Sequence, residues 1–171
     1  MRKLILLYIA IAAALLLPEK SQAQAFDYQN ILRFAHYVYW PEPLPQDTFI
    51  IYIAAQNPEP LDNISNTLKT QKFNGKPITL RNYTDQTPID DAQVIFIDYT
   101  ATIDFEILES KLKKMKTLTL SNNKKLLNYG CMFFLEQKAA TTDYLFKKEA
   151  ILDSGLMFRA TLLSPGHQYI E

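Results

Sequence analysis

Phe49-Ile50-Ile51-Tyr52-Ile53-Ala54-Ala55 carries no polar group except one tyrosine hydroxyl, and prolines bound it at Pro45 and Pro58. A run this short, this apolar on both alternating faces and this rich in β-branched residues predicts a strand covered on both sides. That is the situation of a parallel sheet between helices, not of an antiparallel sheet wetted on one face. Val94-Ile95-Phe96-Ile97 repeats the pattern, and Thr117-Leu118-Thr119-Leu120 reads as a third strand. Between them, Leu61, Ile64 and Leu68, and then Ile103, Ile107, Leu108 and Leu112, recur at helical spacing. Asn74-Gly75-Lys76-Pro77 predicts a turn into Ile78–Tyr83, an edge or second strand. Strands alternating with helices predict an α/β layered fold with a largely parallel central sheet and helices on both faces.

The last third departs from this alternation. Met132–Glu136 and Thr142–Phe146 flank a short polar stretch and predict an antiparallel hairpin near the C-terminus. Lys147–Leu152 reads as a helix stopped by Gly155. Leu156–Leu163 reads as an amphipathic piece with Arg159 on its polar side, and Ser164-Pro165-Gly166 begins a tail expected to fray.

Toward the N-terminus, Ile31, Phe34, Ala35 and Val38 form an apolar stripe, widened by Leu32 and Tyr39, and predict an amphipathic helix from about Asp27 to Tyr39. Asp27 caps it, Trp40-Pro41 ends it, and Pro41, Pro43 and Pro45 make a stiff connector. Before that, Met1-Arg2-Lys3 is a positive start and Leu4–Leu17 an apolar run too short to span a bilayer as a helix. Ala23-Gln24-Ala25 supplies a small-x-small cleavage pattern, with Ser21-Gln22-Ala23 a second candidate. Residues 1–25 are therefore expected to be a signal peptide, and 26–171 a single exported domain.

Removing that segment takes three of the 18 basic and one of the 18 acidic residues, leaving 15 against 17 and a net charge of −2. This argues against nucleic acid or anionic lipid as the main partner. Cys131 is the single cysteine, so no intrachain disulfide can form, and its apolar neighbours Met132-Phe133-Phe134-Leu135 predict a buried, inert thiol. His36 and His167 have no second ligand residue at a metal spacing, so no metal or cofactor is expected. The four glycines, Gly75, Gly130, Gly155 and Gly166, build neither a dinucleotide nor a Walker loop, and no Gly-x-Ser-x-Gly elbow is present. No catalytic set can be assembled, and the chain is read as non-enzymatic. Asn63-Ile64-Ser65 and Asn82-Tyr83-Thr84 match the glycosylation sequon, which matters only in a eukaryote.

Two surfaces invite binding. Asn57, Asp98 and Ser121 follow successive strands, and the crevice past the carboxyl ends of such strands is where ligands sit in open α/β sheets. They are the candidate ligand-binding residues for a small molecule. Asp98 and Ser121 also resemble the layout of a phosphoacceptor receiver domain, but Ala54-Ala55-Gln56 lacks the acidic pair such a domain uses for its metal. Turn and cap roles are the plainer reading of both. The other surface is aromatic: Tyr28, Phe34, Tyr37, Tyr39 and Trp40 crowd the first helix, more than one core stripe needs. Tyr37, Trp40 and Arg159 are accordingly the candidate partner-binding residues.

The segment Ile31-Leu32-Arg33-Phe34-Ala35-His36-Tyr37-Val38-Tyr39-Trp40-Pro41 resembles the opening helix of the YfiR family of exported bacterial proteins. The likeness continues through Phe49–Pro58, Gly75-Lys76-Pro77-Ile78, Ala92–Ile97, Leu118-Thr119-Leu120-Ser121, Gly130-Cys131-Met132 and Tyr144–Leu163. Departures are Lys147, where the family often has asparagine, and Cys131, where it has glycine. Members often hold paired cysteines, so a disulfide-based redox control lacks its second thiol here. The resemblance implies a periplasmic, non-enzymatic, homodimeric regulator. Its partner would be a membrane-bound signalling protein, typically a diguanylate cyclase, or else a sensor kinase, held inactive through its periplasmic part. The alternative is a periplasmic small-molecule-binding protein.

Overall fold

In chain order the elements are α1 (Gln29–Ala35), β1 (Val38–Tyr39), β2 (Phe49–Ala54), α2 (Pro58–Leu68), β3 (Lys72–Phe73), β4 (Lys76–Asn82) and β5 (Val94–Ile97). Then come α3 (Phe105–Leu112), β6 (Leu118–Ser121), a 3₁₀ helix (Lys124–Tyr129), β7 (Phe133–Lys138), β8 (Thr141–Phe146), α4 (Lys148–Ser154) and β9 (Met157–Phe158). This is a computed structural model, which describes residues 26–40, 47–56, 58–112, 116–138 and 141–169. The predicted signal peptide, the Pro41/Pro43/Pro45 connector and Asn57 lie outside the described residues.

The strand order is β3-β4-β2-β5-β6-β7-β8. β4, β2, β5, β6 and β7 are parallel neighbours, and β3 and β8 close the two edges antiparallel. The α/β layered fold is thus as the continuous apolar runs require. β2 is buried at every position and divides its side chains by alternation. Phe49, Ile51 and Ile53 join a core with Ile31 of α1, Ile64 of α2 and Ile151 of α4. Ile50, Tyr52 and Ala54 join a second core with Leu108 and Leu112 of α3. Helices therefore cover both faces. Each fully buried Ile, Leu or Phe side chain contributes about 1.5–3 kcal/mol, so these two cores dominate stability.

β3 and β4 are joined by Asn74-Gly75, with φ of +48° and +81°. Positive φ at both central residues matches the right-handed twist of the strands, which is why Asn-Gly stands there. The strand predicted as an edge or second strand, β4, sits one place inside the edge, because this turn folds β3 back along it. Gly155 ends α4 with φ +65°, as expected for a C-cap.

Three expectations need correction. The first helix does not run to Tyr39. It stops at Ala35, where the Trp40 indole N–H donates to the Ala35 carbonyl at 2.9 Å, and Val38-Tyr39 turns into a strand. Val38 and Tyr39 pair with Phe158 and Met157, so tertiary pairing outcompetes the helical periodicity. Leu156–Leu163, expected as one amphipathic piece, splits for the same reason into β9 and a 3₁₀ turn over Ala160–Leu162. Finally, the tail does not fray over its described part. Gln168 bridges to Phe146, the Tyr169 N–H donates to the Phe146 carbonyl at 2.8 Å, and His167 stacks on Tyr144 at 4.2 Å. The tail so covers the open edge of β8, the usual protection for an edge strand.

Candidate functional site

The residues predicted to meet a partner, Tyr37, Trp40 and Arg159, flank the β1–β9 ribbon without being part of it. Opposed residues of an antiparallel pair present their side chains on the same face. Val38 opposes Phe158 and both pack toward the core, whereas Tyr39 opposes Met157 and the two stay 56% and 69% exposed. The Arg159 N–H donates to the Tyr37 carbonyl at 2.8 Å, and the Arg159 side chain is exposed beside the patch. Tyr37 is half-buried against the core. Trp40 belongs to the same segment but turns inward: besides its bond to Ala35, its ring meets Phe49 edge-on at 5.4 Å and Phe73 at 6.3 Å. Sequence reasoning counted Tyr39 among the surplus aromatics but not among the partner-binding candidates, and missed Met157.

The second region lies at the carboxyl ends of β2, β4 and β5. From β2 the chain passes through α2 to β4 on one side and later places β5 on the other, with α2 and α3 on opposite faces. Loops leaving strands at such a reversal diverge and leave a crevice. Here it is a cleft of about 460 Å³ lined by Gln56, Asn82, Tyr83, Asp85, Gln86 and Thr102 among others. Burial, with the charge of Asp85 adding to it, pushes the Tyr83 phenol up to about 12. The Lys111 ammonium lies 5.3 Å over the Tyr83 ring and donates to the main-chain oxygens of Asp85 at 2.6 Å and Thr87 at 3.0 Å, pinning the loop.

Of the predicted ligand residues, Asp98 follows β5 and Ser121 ends β6, and neither lines this cleft. Asp98 is buried, with one carboxylate oxygen accepting from the Thr100 N–H and hydroxyl at 2.9 and 2.7 Å, and the other from the Asn122 amide at 2.9 Å. The Ser121 hydroxyl donates to the Ile97 carbonyl at 2.6 Å and accepts from the Asn123 N–H at 2.9 Å. Both side chains thus tie the β5 and β6 loops together. Cys131 is buried, and desolvation pushes its thiol up to about 12. Among the described residues no group of three His, Cys, Asp or Glu side chains is placed to hold a metal ion, and no helix is long and apolar enough to cross a membrane.

A family model described as YfiR/HmsC-like matches residues 25–166. No curated protein matches the chain.

Proposed function

We propose, from the premise that this chain belongs to the YfiR/HmsC-like family, that it is a non-enzymatic periplasmic regulator of a membrane-bound signalling protein. The partner is a diguanylate cyclase or a sensor kinase, bound through its periplasmic part by a homodimer of this chain. A soluble protein biases a transmembrane switch only by binding one of its states better than the other. Moving such a switch from mostly on to mostly off takes a differential affinity of several kcal/mol, about 5.5 for a change from 1:99 to 99:1.

The observation that carries this reading is the cross-strand pair Tyr39 and Met157, exposed on a ribbon with Arg159 alongside. Tyrosine, methionine and arginine are the residue types enriched where proteins meet. Exposed side chains on a paired strand can be changed without opening a core. The test first identifies the neighbouring genes; if one encodes a membrane cyclase or kinase, its periplasmic segment is titrated with wild type and with the double variant Tyr39→Ser, Met157→Ser. A loss of affinity of tenfold or more, at unchanged melting temperature, is expected. Equal affinity of the double variant and wild type would remove the ribbon from the interface.

A further inference from the structure

Two polar atoms in the interior have no hydrogen-bond partner among the described residues, the Tyr83 hydroxyl and Asp85 Oδ1, and both residues line the cleft at the ends of β2, β4 and β5. Buried polar groups are ordinarily paired, and a carboxylate oxygen is among the costliest to leave without a donor. The coincidence of both orphans with one cleft marks a place where something else supplies the partner.

The chemistry of the walls narrows what that is. Asp85 Oδ2 is already taken, accepting from the Asp104 N–H at 3.1 Å, so only Oδ1 is open. Lys111, whose ammonium lies over the Tyr83 ring, spends two of its donors on main-chain oxygens. Gln56 and Thr102 bond each other at 3.2 Å across the cleft and are neutral, as are Asn82, Thr84 and Gln86. Among the described residues Asp85 is thus the one charged side chain on the lining, an acidic one. With its pKa raised, the Tyr83 phenol keeps its proton throughout the physiological range and adds a hydroxyl. Ala55, Ala101 and Ile103 supply an apolar wall. Asp85 is half-exposed as a residue, and a ligand in the opening reaches the closed-off Oδ1 only once the carboxylate turns toward it.

We infer that this cleft binds a small cationic ligand, an amine- or guanidine-bearing molecule of amino-acid to polyamine size, whose N–H groups donate to Asp85 with the Tyr83 hydroxyl beside them. A volume of about 460 Å³ lies within the range of small-molecule sites. Charge-assisted N–H···O bonds are stronger than neutral ones, which sets an amine above a sugar of the same size here. The site stands apart from the β1–β9 ribbon, so the inference holds or falls independently of the partner.

The test is calorimetry and thermal shift on the whole domain with putrescine and agmatine as probes, glucose and acetate as neutral and anionic controls, all at matched ionic strength. At about a hundredfold excess over Kd, a ligand binding only the folded state raises Tm by several degrees for a domain of this size. Agmatine or putrescine should do so, glucose and acetate should not, and Asp85→Asn should weaken binding at least tenfold. Should Asp85→Asn fold poorly, amide shifts of Ala101–Ile103 in the wild-type protein on titration with agmatine replace it. The inference is overturned if neither cation shifts Tm or those amides at 10 mM, if Asp85→Asn binds as tightly as wild type, or if glucose alone binds.

Discussion

Replacing Trp40 separates a structural role from a binding one. Truncating a fully buried aromatic to alanine costs about 3–5 kcal/mol, and Trp40 is half-buried, which brings the packing loss to about 2 kcal/mol. Removing the indole N–H leaves the carbonyl of fully buried Ala35 short of a donor, at about 1 kcal/mol. Losing the edge-on contacts to Phe49 and Phe73 adds about 0.5–1 kcal/mol. Trp40→Ala is therefore expected to destabilise the domain by about 3–4 kcal/mol, a large share of a total near 5–15 kcal/mol. Trp40→Phe keeps the ring contacts, loses the hydrogen bond and should cost about 1–1.5 kcal/mol. Urea unfolding followed by far-UV circular dichroism measures both, since Trp40 is the single tryptophan and its fluorescence disappears with it. With a urea slope of about 1–3 kcal/mol/M, Trp40→Ala should lower the midpoint by at least about 1 M. A midpoint within about 0.3 M of wild type would refute the reasoning and return Trp40 to the surface available to a partner.

Three further outcomes follow from the same geometry. Tyr39→Ser with Met157→Ser should weaken partner binding at unchanged Tm, in contrast to Trp40→Ala, and titration of the neighbouring periplasmic segment distinguishes them. Cys131 should stay unmodified by a thiol reagent in the native protein and react on denaturation, because burial raises its thiol to about 12; rapid native labelling would contradict that burial. The hydrogen bond from the Lys138 ammonium, then that from the Tyr144 N–H, holds Asp143 below its ordinary 3.8. The fold favours the charged form, so its contribution is complete above about pH 4 and is lost as pH falls through the lowered native value. An acid titration of wild type against Asp143→Asn should show the two converging as pH falls through that lowered value, and parallel curves would dismiss the effect.

Sequence made the buried strands legible because each is a short apolar run with both alternating faces covered, a pattern few other elements share. Asn74-Gly75 and Gly155 were legible through backbone conformation, which depends on two or three residues at most. Val38-Tyr39 was not, since its partner lies in Met157-Phe158 and no local periodicity reports a pairing across most of the chain. The ligand site read from the sequence was centred on Asn57, Asp98 and Ser121, whereas the cleft is lined by residues such as Tyr83 and Asp85. Carboxyl-end residues can be read from a sequence, but the order β4-β2-β5 cannot, and that order decides which loops diverge. Tyr83 and Asp85 escaped notice for a related reason: an unpartnered atom is defined by everything around it.

The β1–β9 ribbon also sets a timetable. Its two strands lie about 120 residues apart in sequence, and a chain made from its N-terminus at about 5–20 residues per second brings them together only after roughly 6–24 s. Until then Val38 has no strand to join and Tyr39 no neighbour across the ribbon. A copy cut short before Met157 holds every strand of the central sheet yet never displays the Tyr39–Met157 pair, so that surface reports that synthesis has passed Phe158.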